Sequence, residues 1–185
     1  MPTLFPADDP EKIPFAGILP GTPAPYILQN GEGEKSVVFD TVFTVLLTAD
    51  ETDNQYGVFT SIGNKGDRIP AHHHPHTHEI FYVVDGQITL WLDDQGEYHE
   101  KRVLEKGDFA FIPQGLVHAY RNDTTAKVFG VSTGGFERFF HGIGSPTDVA
   151  DIPERPYIPP VEQMIGAGMK YGTVFLPDFR FRDAL

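Results

Sequence analysis

The chain has no cysteine, which removes disulfide frameworks and thiolate metal sites from consideration. It is short of positive charge. Fourteen Lys and Arg stand against 26 Asp and Glu, a net charge of −12, so nucleic acid and anionic membrane surfaces are poor partners. Long apolar runs are missing too: the longest, such as VFTVLL, fall far short of a bilayer span. The first residues, MPTLFPADDP, lack a basic stretch followed by an apolar one, so no secretion signal is read. A soluble, cytoplasmic protein is expected. No stretch reads as a crossover helix between strands, which argues against a parallel α/β sheet, and there is no internal repeat.

What is present is β-rich. At 185 residues the chain is expected to be one domain with a substantial core. Residues 1–36 form an expected arm. Its prolines and glycines are too dense for a helical period, and Phe5, Ile13, Phe15, Ile18 and Leu19 could lay it on the body. Tyr26–Leu28 is a candidate strand before a turn at Asn30-Gly31. Residues 37–133 supply the barrel. Short β-branched and aromatic runs (VVFDTVFTVLLT, YGVFTSI, EIFYVVDG, QITLWLD, YHEKRVL, DFAFIP, VHAYRN, KVFGVST) alternate with polar turns roughly every ten residues. Asp85-Gly86 reads as the tight turn of a hairpin between EIFYVVD and QITLWLD. Residues 134–185 change character. Phe136, Phe139 and Phe140 share one face of a short helix. Ser145-Pro146 reads as an N-cap and first residue of another helix through Thr147–Ala150. The fold class expected is all-β, an antiparallel barrel or sandwich with short helices near the C-terminus and Pro/Gly-rich arms.

Two stretches carry chemistry. In GDRIPAHHHPHTHEIFYVVDG, Gly66 is followed after five residues by His72, after one more by His74, after four by Glu79 and after six by Gly86. In GDFAFIPQGLVHAYRN, Gly107, Pro113, Gly115, His118 and Asn122 recur at short spacings. Strand side chains alternate, so His72 and His74 point one way and His73 the other. Glu79 shares a face with Phe81 and Val83. Three neutral imidazoles and a carboxylate bind a divalent first-row metal (Ni, Co, Mn, Fe, Cu or Zn) and leave coordination positions open. His74/His76 and His76/His78 are also H-x-H pairs. His72/His74 is preferred because Gly66 and Gly86 then fall at turns on both sides. The plainer reading of HHHPHTH, a solvated loop, is weakened by the second stretch.

Both stretches match the two sequence motifs of the cupin superfamily, with His72, His74 and Glu79 from the first and His118 from the second. The resemblance implies a jelly-roll β-barrel with a metal inside. Cupin barrels host many chemistries, but a narrower resemblance exists. The segments PYILQNGEGEK, IPAHHHPHTHEIFYVVDG, GDFAFIPQGLVHAYRN and GFERFF are similar to the single-domain quercetin 2,3-dioxygenases. That resemblance implies a dioxygenase that opens the heterocyclic ring of a flavonol with O2 and releases carbon monoxide, with Glu79 as both ligand and general base. Phe59, Phe81, Phe111, Tyr120 and Phe136 are candidates to line an apolar slot for the aromatic substrate; for each, ordinary core packing is the alternative. Trp91 suits sheet packing or a dimer surface, His99 and His141 suit the surface, and Arg68 and Arg121 suit salt bridges. Single cupin barrels commonly pair, so a homodimer is expected. Two other functions stay open. One is a non-oxidative metal-dependent reaction (isomerisation, dehydration or decarboxylation) on a small aromatic or polyketide-like metabolite. The other is a sensing module with a filled metal sphere.

Overall fold

In the computed structural model, Phe15 and residues 17–183 are described. Ten strands form the body: β1 Glu34–Val38, β2 Thr41–Leu47, β3 Gly57–Gly63, β4 Arg68–His73, β5 Glu79–Asp85, β6 Gln87–Asp93, β7 His99–Glu105, β8 Phe109–Ile112, β9 Val117–Asn122 and β10 Ala126–Ser132. Two-residue strands β11 (Ser145–Pro146) and β12 (Val174–Phe175) extend the edges, and two helices, α1 (Phe139–Ile143) and α2 (Val161–Tyr171), lie beside them. One sheet runs β11-β1-β2-β3-β10-β5-β8 and the other β12-β4-β9-β6-β7. The strand pairings are antiparallel. The two sheets make a jelly-roll β-barrel.

Alternation explains where the core sits. In β3, GVFTSIG, every second residue is buried, and β10 follows the same pattern. Val45, Phe59, Phe81 and Val83 of the first sheet meet Ile88, Leu90 and Leu104 of the second in one apolar cluster. Burying side chains of this size stabilises by about 1.5–3 kcal/mol each. Trp91 is 1% exposed, on the second sheet. The Lys101 ammonium and Arg121 guanidinium each lie 5.4 Å from its ring centre, so sheet packing is its role within the chain.

Several local expectations need correcting. Residues 37–48 are not one strand: the chain reverses at Phe39-Asp40, where Phe39 takes a φ of 52°, and β1 then pairs with β2. Asp85-Gly86 does not close a hairpin. β5 is already flanked by β10 and β8, so the chain crosses to the second sheet, where β6 pairs with β7 and β9. Gly86 is required there. Its φ is +80°, and a Cβ would lie 2.2 Å from the Thr125 carbonyl oxygen. Tyr26–Leu28 forms no strand, although the Asn30-Gly31 turn is present, closed by the Glu32 N–H donating to the Gln29 carbonyl at 3.0 Å. Ser145-Pro146 opens no helix. It pairs with β1, and residues 147–150 are not helical.

The arm meets the body through Leu19, which is buried, and through Phe15, whose ring stacks on His141 at 4.1 Å. Ile18 is exposed, and Phe5 and Ile13 lie outside the described residues. His141 is therefore not a surface residue, whereas His99 is exposed. The GFERFF segment is helical, as Phe136–Arg138 and then α1. Glu137 locks it to the barrel: the carboxylate is fully buried, accepts the Ala49 N–H at 2.8 Å, and occupies the space a side chain at Gly57 would need. No helix among the described residues is long and apolar enough to cross a membrane.

Candidate metal centre

The four expected ligands arrive from both sheets. His72 lies next to the end of β4, directly opposite His118 of β9, and His74 follows just past the end of β4. Glu79 opens β5, between β8 and β10 of the other sheet. All four are buried, at 6, 2, 3 and 1% exposure for His72, His74, Glu79 and His118. Each contributes one donor atom to a group whose members lie within 4.8 Å of one another. The Nε2 atoms of His74 and His118 stand 3.2 and 3.0 Å from Glu79 Oε2.

The backbone sets the tautomers. His72 Nδ1–H donates to the Pro70 carbonyl at 2.8 Å, and His118 Nδ1–H to the Leu116 carbonyl at 3.0 Å. A carbonyl only accepts, so in each ring the proton sits on Nδ1 and the Nε2 lone pair is free. His74 Nδ1 meets the Thr173 hydroxyl at 3.3 Å. At the centre, His74 Nε2, Glu79 Oε2 and His118 Nε2 are buried without a hydrogen-bond partner. Orphaned buried polar atoms that converge on one point are costly, and a divalent cation is the group that would satisfy them. The donor set fits a divalent first-row metal.

Electrostatics agrees with ligand chemistry. Burial pushes His72 well below its ordinary range, and the neighbouring His118 and His74 rings add to this, which favours the neutral imidazole a metal needs. Burial alone would raise the Glu79 carboxyl. The facing His74 and His118 rings more than offset it and hold the group well below the usual carboxylate range.

The other histidines stay out of the centre. His76 is exposed, and His78 Nδ1 accepts the Gln114 N–H at 3.2 Å. His73 points away, as alternation requires. The choice of His72/His74 over the other H-x-H pairs therefore matches the geometry.

A cavity of about 50 Å³ adjoins the cluster. Of the expected lining residues, Phe59, Phe81, Tyr120 and Phe136 border it, along with His72 and Glu79. Phe111 does not. In β8 it alternates outward, 51% exposed, and stacks on His78. The parity of β8 is set by Ile112, which is buried. Sequence reasoning missed Met164 of α2, Thr173 and Phe175 as wall residues, since they come from a tail that showed no β-periodicity. Phe136 covers His74, ring centres 4.2 Å apart. Arg121 pairs with Asp123 at 2.7 Å, as expected of a structural ion pair.

Comparison with known proteins agrees with this architecture. A cupin domain model matches residues 60–132. A quercetin 2,3-dioxygenase from Bacillus subtilis is 38% identical over 140 residues, 75% of this chain and 40% of that protein. One from Aspergillus japonicus is 27% identical over 140 residues, 73% of this chain and 39% of that protein. The chain thus spans about two fifths of the length of these curated relatives. Among solved structures, KdgF from Halomonas superposes with a TM-score of 0.51 at 18% identity, covering 60% of this chain and 94% of that one. Oxalate decarboxylase from Bacillus subtilis gives 0.52 at 15% identity, covering 63% of this chain and 32% of that one; at such identities the likeness is one of fold. Residues 60–132 of the chain form a cupin domain, and over three quarters of its length the chain is similar to the quercetin 2,3-dioxygenases.

Proposed function

We propose that this chain carries a metal-dependent dioxygenase activity, cleaving the heterocyclic ring of a flavonol such as quercetin with O2 and releasing carbon monoxide. The observation that carries the reading is a buried His72–His74–Glu79–His118 cluster opening onto an aromatic-walled cavity, in a chain similar to quercetin 2,3-dioxygenases. A divalent metal held by those residues would supply Lewis acidity and open coordination positions. Glu79 supplies the base. Its Oε2 faces the centre of the site, 3.0 Å from His118 Nε2, within reach of the proton of a flavonol 3-hydroxyl. His72 and His118, fixed through Nδ1, hold the geometry in which that proton is transferred. Phe59, Phe81 and Phe136 flank the ring system and keep water from the carbanion-like, electron-rich ring that reacts with O2.

The cavity size bears directly on the substrate. Pockets for drug-sized molecules run to about 300–1,000 Å³, against about 50 Å³ here. A flavonol therefore enters only when the cavity wall moves aside. The same small volume favours the second reading, a non-oxidative reaction on a smaller aromatic or polyketide-like metabolite, with Glu79 shuttling a proton.

Oxygen dependence separates the two. Metal-reconstituted protein incubated with quercetin is expected to consume O2 as the flavonol absorbance decays, with carbon monoxide detected in the headspace. His118→Ala and Glu79→Gln abolish all three signals. Intact flavonol and no O2 uptake with each of Ni, Co, Mn, Fe, Cu and Zn would sink the dioxygenase reading in favour of the non-oxidative one.

A further inference from the structure

The outer face of the first sheet carries core-like residues. Directly opposed residues form rows across β3, β10, β5 and β8. One row is Thr60, Phe129, Tyr82 and Phe109; the next is Val58, Val131, Ile80 and Phe111. An antiparallel sheet with a solvated face ordinarily turns polar side chains outward. Here no member of either row is charged, and only Thr60 is small and polar. Phe109, Phe111 and Tyr82 are 58, 51 and 44% exposed. Round the sheet edge, Tyr98 and Val103 of β7 continue the patch; both are exposed and share one groove with Phe109 and Phe111. The charged members of that groove are engaged: Arg102 pairs with Glu100, and Asp108 accepts the Glu105 N–H. The arm covers only the near side of the sheet. Tyr26 and Leu28 border Leu46, Thr60 and Ile62, and the Tyr26 hydroxyl donates to the Leu46 carbonyl at 2.6 Å.

Size and charge point to what covers this face. Phe109, Phe111, Tyr82 and Tyr98 are each about half open. An aromatic side chain buries about 150–250 Å², so these four alone offer roughly 300–500 Å². That matches the largest apolar patch on a typical monomer, about 300–600 Å². With Val58, Ile80, Val103, Phe129 and Val131 beside them, they make the apolar core of an interface of about 800 Å² per partner. Two copies of a chain with net charge −12 repel each other wherever carboxylates meet, and the two rows hold none. A basic partner, conversely, finds no acid in them to pair with. A two-fold contact sets the same aromatics against one another, the pairing of anchors that stable interfaces favour. The exposed stripe of α2, Val161, Ile165 and Met169, is a weaker candidate: it lacks aromatics and is flanked by Glu162 and Lys170. We propose that the rows on β3, β10, β5 and β8 are the interface of a two-fold homodimer, first sheet packed on first sheet. Such a dimer is independent of the reaction catalysed, yet its interface lies against the metal centre. Ile80 and Tyr82 alternate along β5 with Glu79 and Phe81, and Phe111 stacks on His78, in the loop between His74 and Glu79.

Sedimentation velocity on the zinc-loaded full chain at micromolar concentration is expected to show two copies. Phe109→Asp and Phe111→Asp each bury a carboxylate in the apolar contact, and each is expected to raise the dimer dissociation constant about hundredfold. Met169→Glu, on the exposed face of α2, is expected to leave it unchanged. Phe109 and Phe111 point away from the core, so both variants are expected to fold. Circular dichroism checks this; if one does not fold, the other decides. A wild type of any size but two copies overturns the interface. So does a folded Phe109→Asp or Phe111→Asp that associates as tightly as the wild type, or a Met169→Glu that falls apart into single chains.

Discussion

At the scale of single residues, the barrel holds a second buried pair besides the metal ligands. Glu34 of β1 and His141 of α1 face each other, Oε2 to Nε2 3.4 Å apart, beneath the Phe15 ring. Burial pushes the Glu34 carboxyl up to about 7, with Arg138 opposing and Glu51, Asp50 and Glu137 adding to the rise. Burial, aided by Arg138, pushes His141 down to about 4. Unfolded, the two would titrate near 4.5 and 6.5. A raised acid holds its proton more tightly when folded, so the Glu34 contribution is complete below about pH 4.5 and lost as pH rises through about 7. The His141 contribution has the opposite sense, complete above about pH 6.5 and lost as pH falls through about 4. Thermal melts across this range are expected to show Glu34→Gln gaining on the wild type toward pH 8 and His141→Gln gaining toward pH 4. Profiles parallel to the wild type in both variants would contradict this assignment.

At the scale of elements, α2 contributes Met164 to the cavity wall. The segment VEQMIGAGMKY has Glu162 in its first turn, Lys170 in its last and a left-handed glycine cap at Gly172, but it contains two glycines and Pro160 at its start makes no side-chain cap, so local signals alone hold it weakly. Tertiary contacts hold it instead. Gln163 Nε2 donates to the Gly142 carbonyl at 2.9 Å, Tyr157 donates to Gln163 Oε1 at 3.0 Å, and Ala167 packs on Gly142 of α1. The glycines differ in kind. A Cβ at Gly166 meets nothing within 4 Å, whereas one at Gly168 lies 2.8 Å from the Thr173 carbonyl oxygen. Gly166→Ala is expected to raise stability by about 0.5–1 kcal/mol through helix propensity. Gly168→Ala is expected to lower it, because backbone must shift. Urea unfolding of the metal-loaded protein measures both, and shifts of the same sign would show that α2 is not packed as described.

At the scale of the whole molecule, the metal centre ties the two sheets together, three imidazoles from one and a carboxylate from the other. A ligand bound only by the folded state stabilises by about 2.7 kcal/mol at 100 times its dissociation constant. Chelation with EDTA is therefore expected to lower the Tm of the wild type and leave His118→Ala unmoved, read by differential scanning fluorimetry with and without added metal. A wild type indifferent to EDTA would mean that the cluster contributes nothing to holding the sheets.

Much of this was legible in order along the chain. Strand alternation is local, so the parity of His72, His74, Glu79, Phe81 and Val83 follows from spacing alone, and the absence of cysteine and the spacing of the second stretch confine the ligands to imidazole and carboxylate. What spacing cannot carry is partner choice. Whether β5 returns on itself at Asp85-Gly86 or crosses to the other sheet depends on β10 and β8 already flanking it. Phe111 reads as well inward as outward until the burial of Ile112 sets its parity. The helix α2 and the His141–Glu34 contact exist because distant segments bury them, a free energy no local pattern records. The sequence by itself determined the donor set and the strands that present it, since both depend on neighbours in the chain. Tertiary structure alone decided which tautomers face inward, which aromatics reach the cavity and how small that cavity is, since each depends on surfaces brought together from opposite sheets.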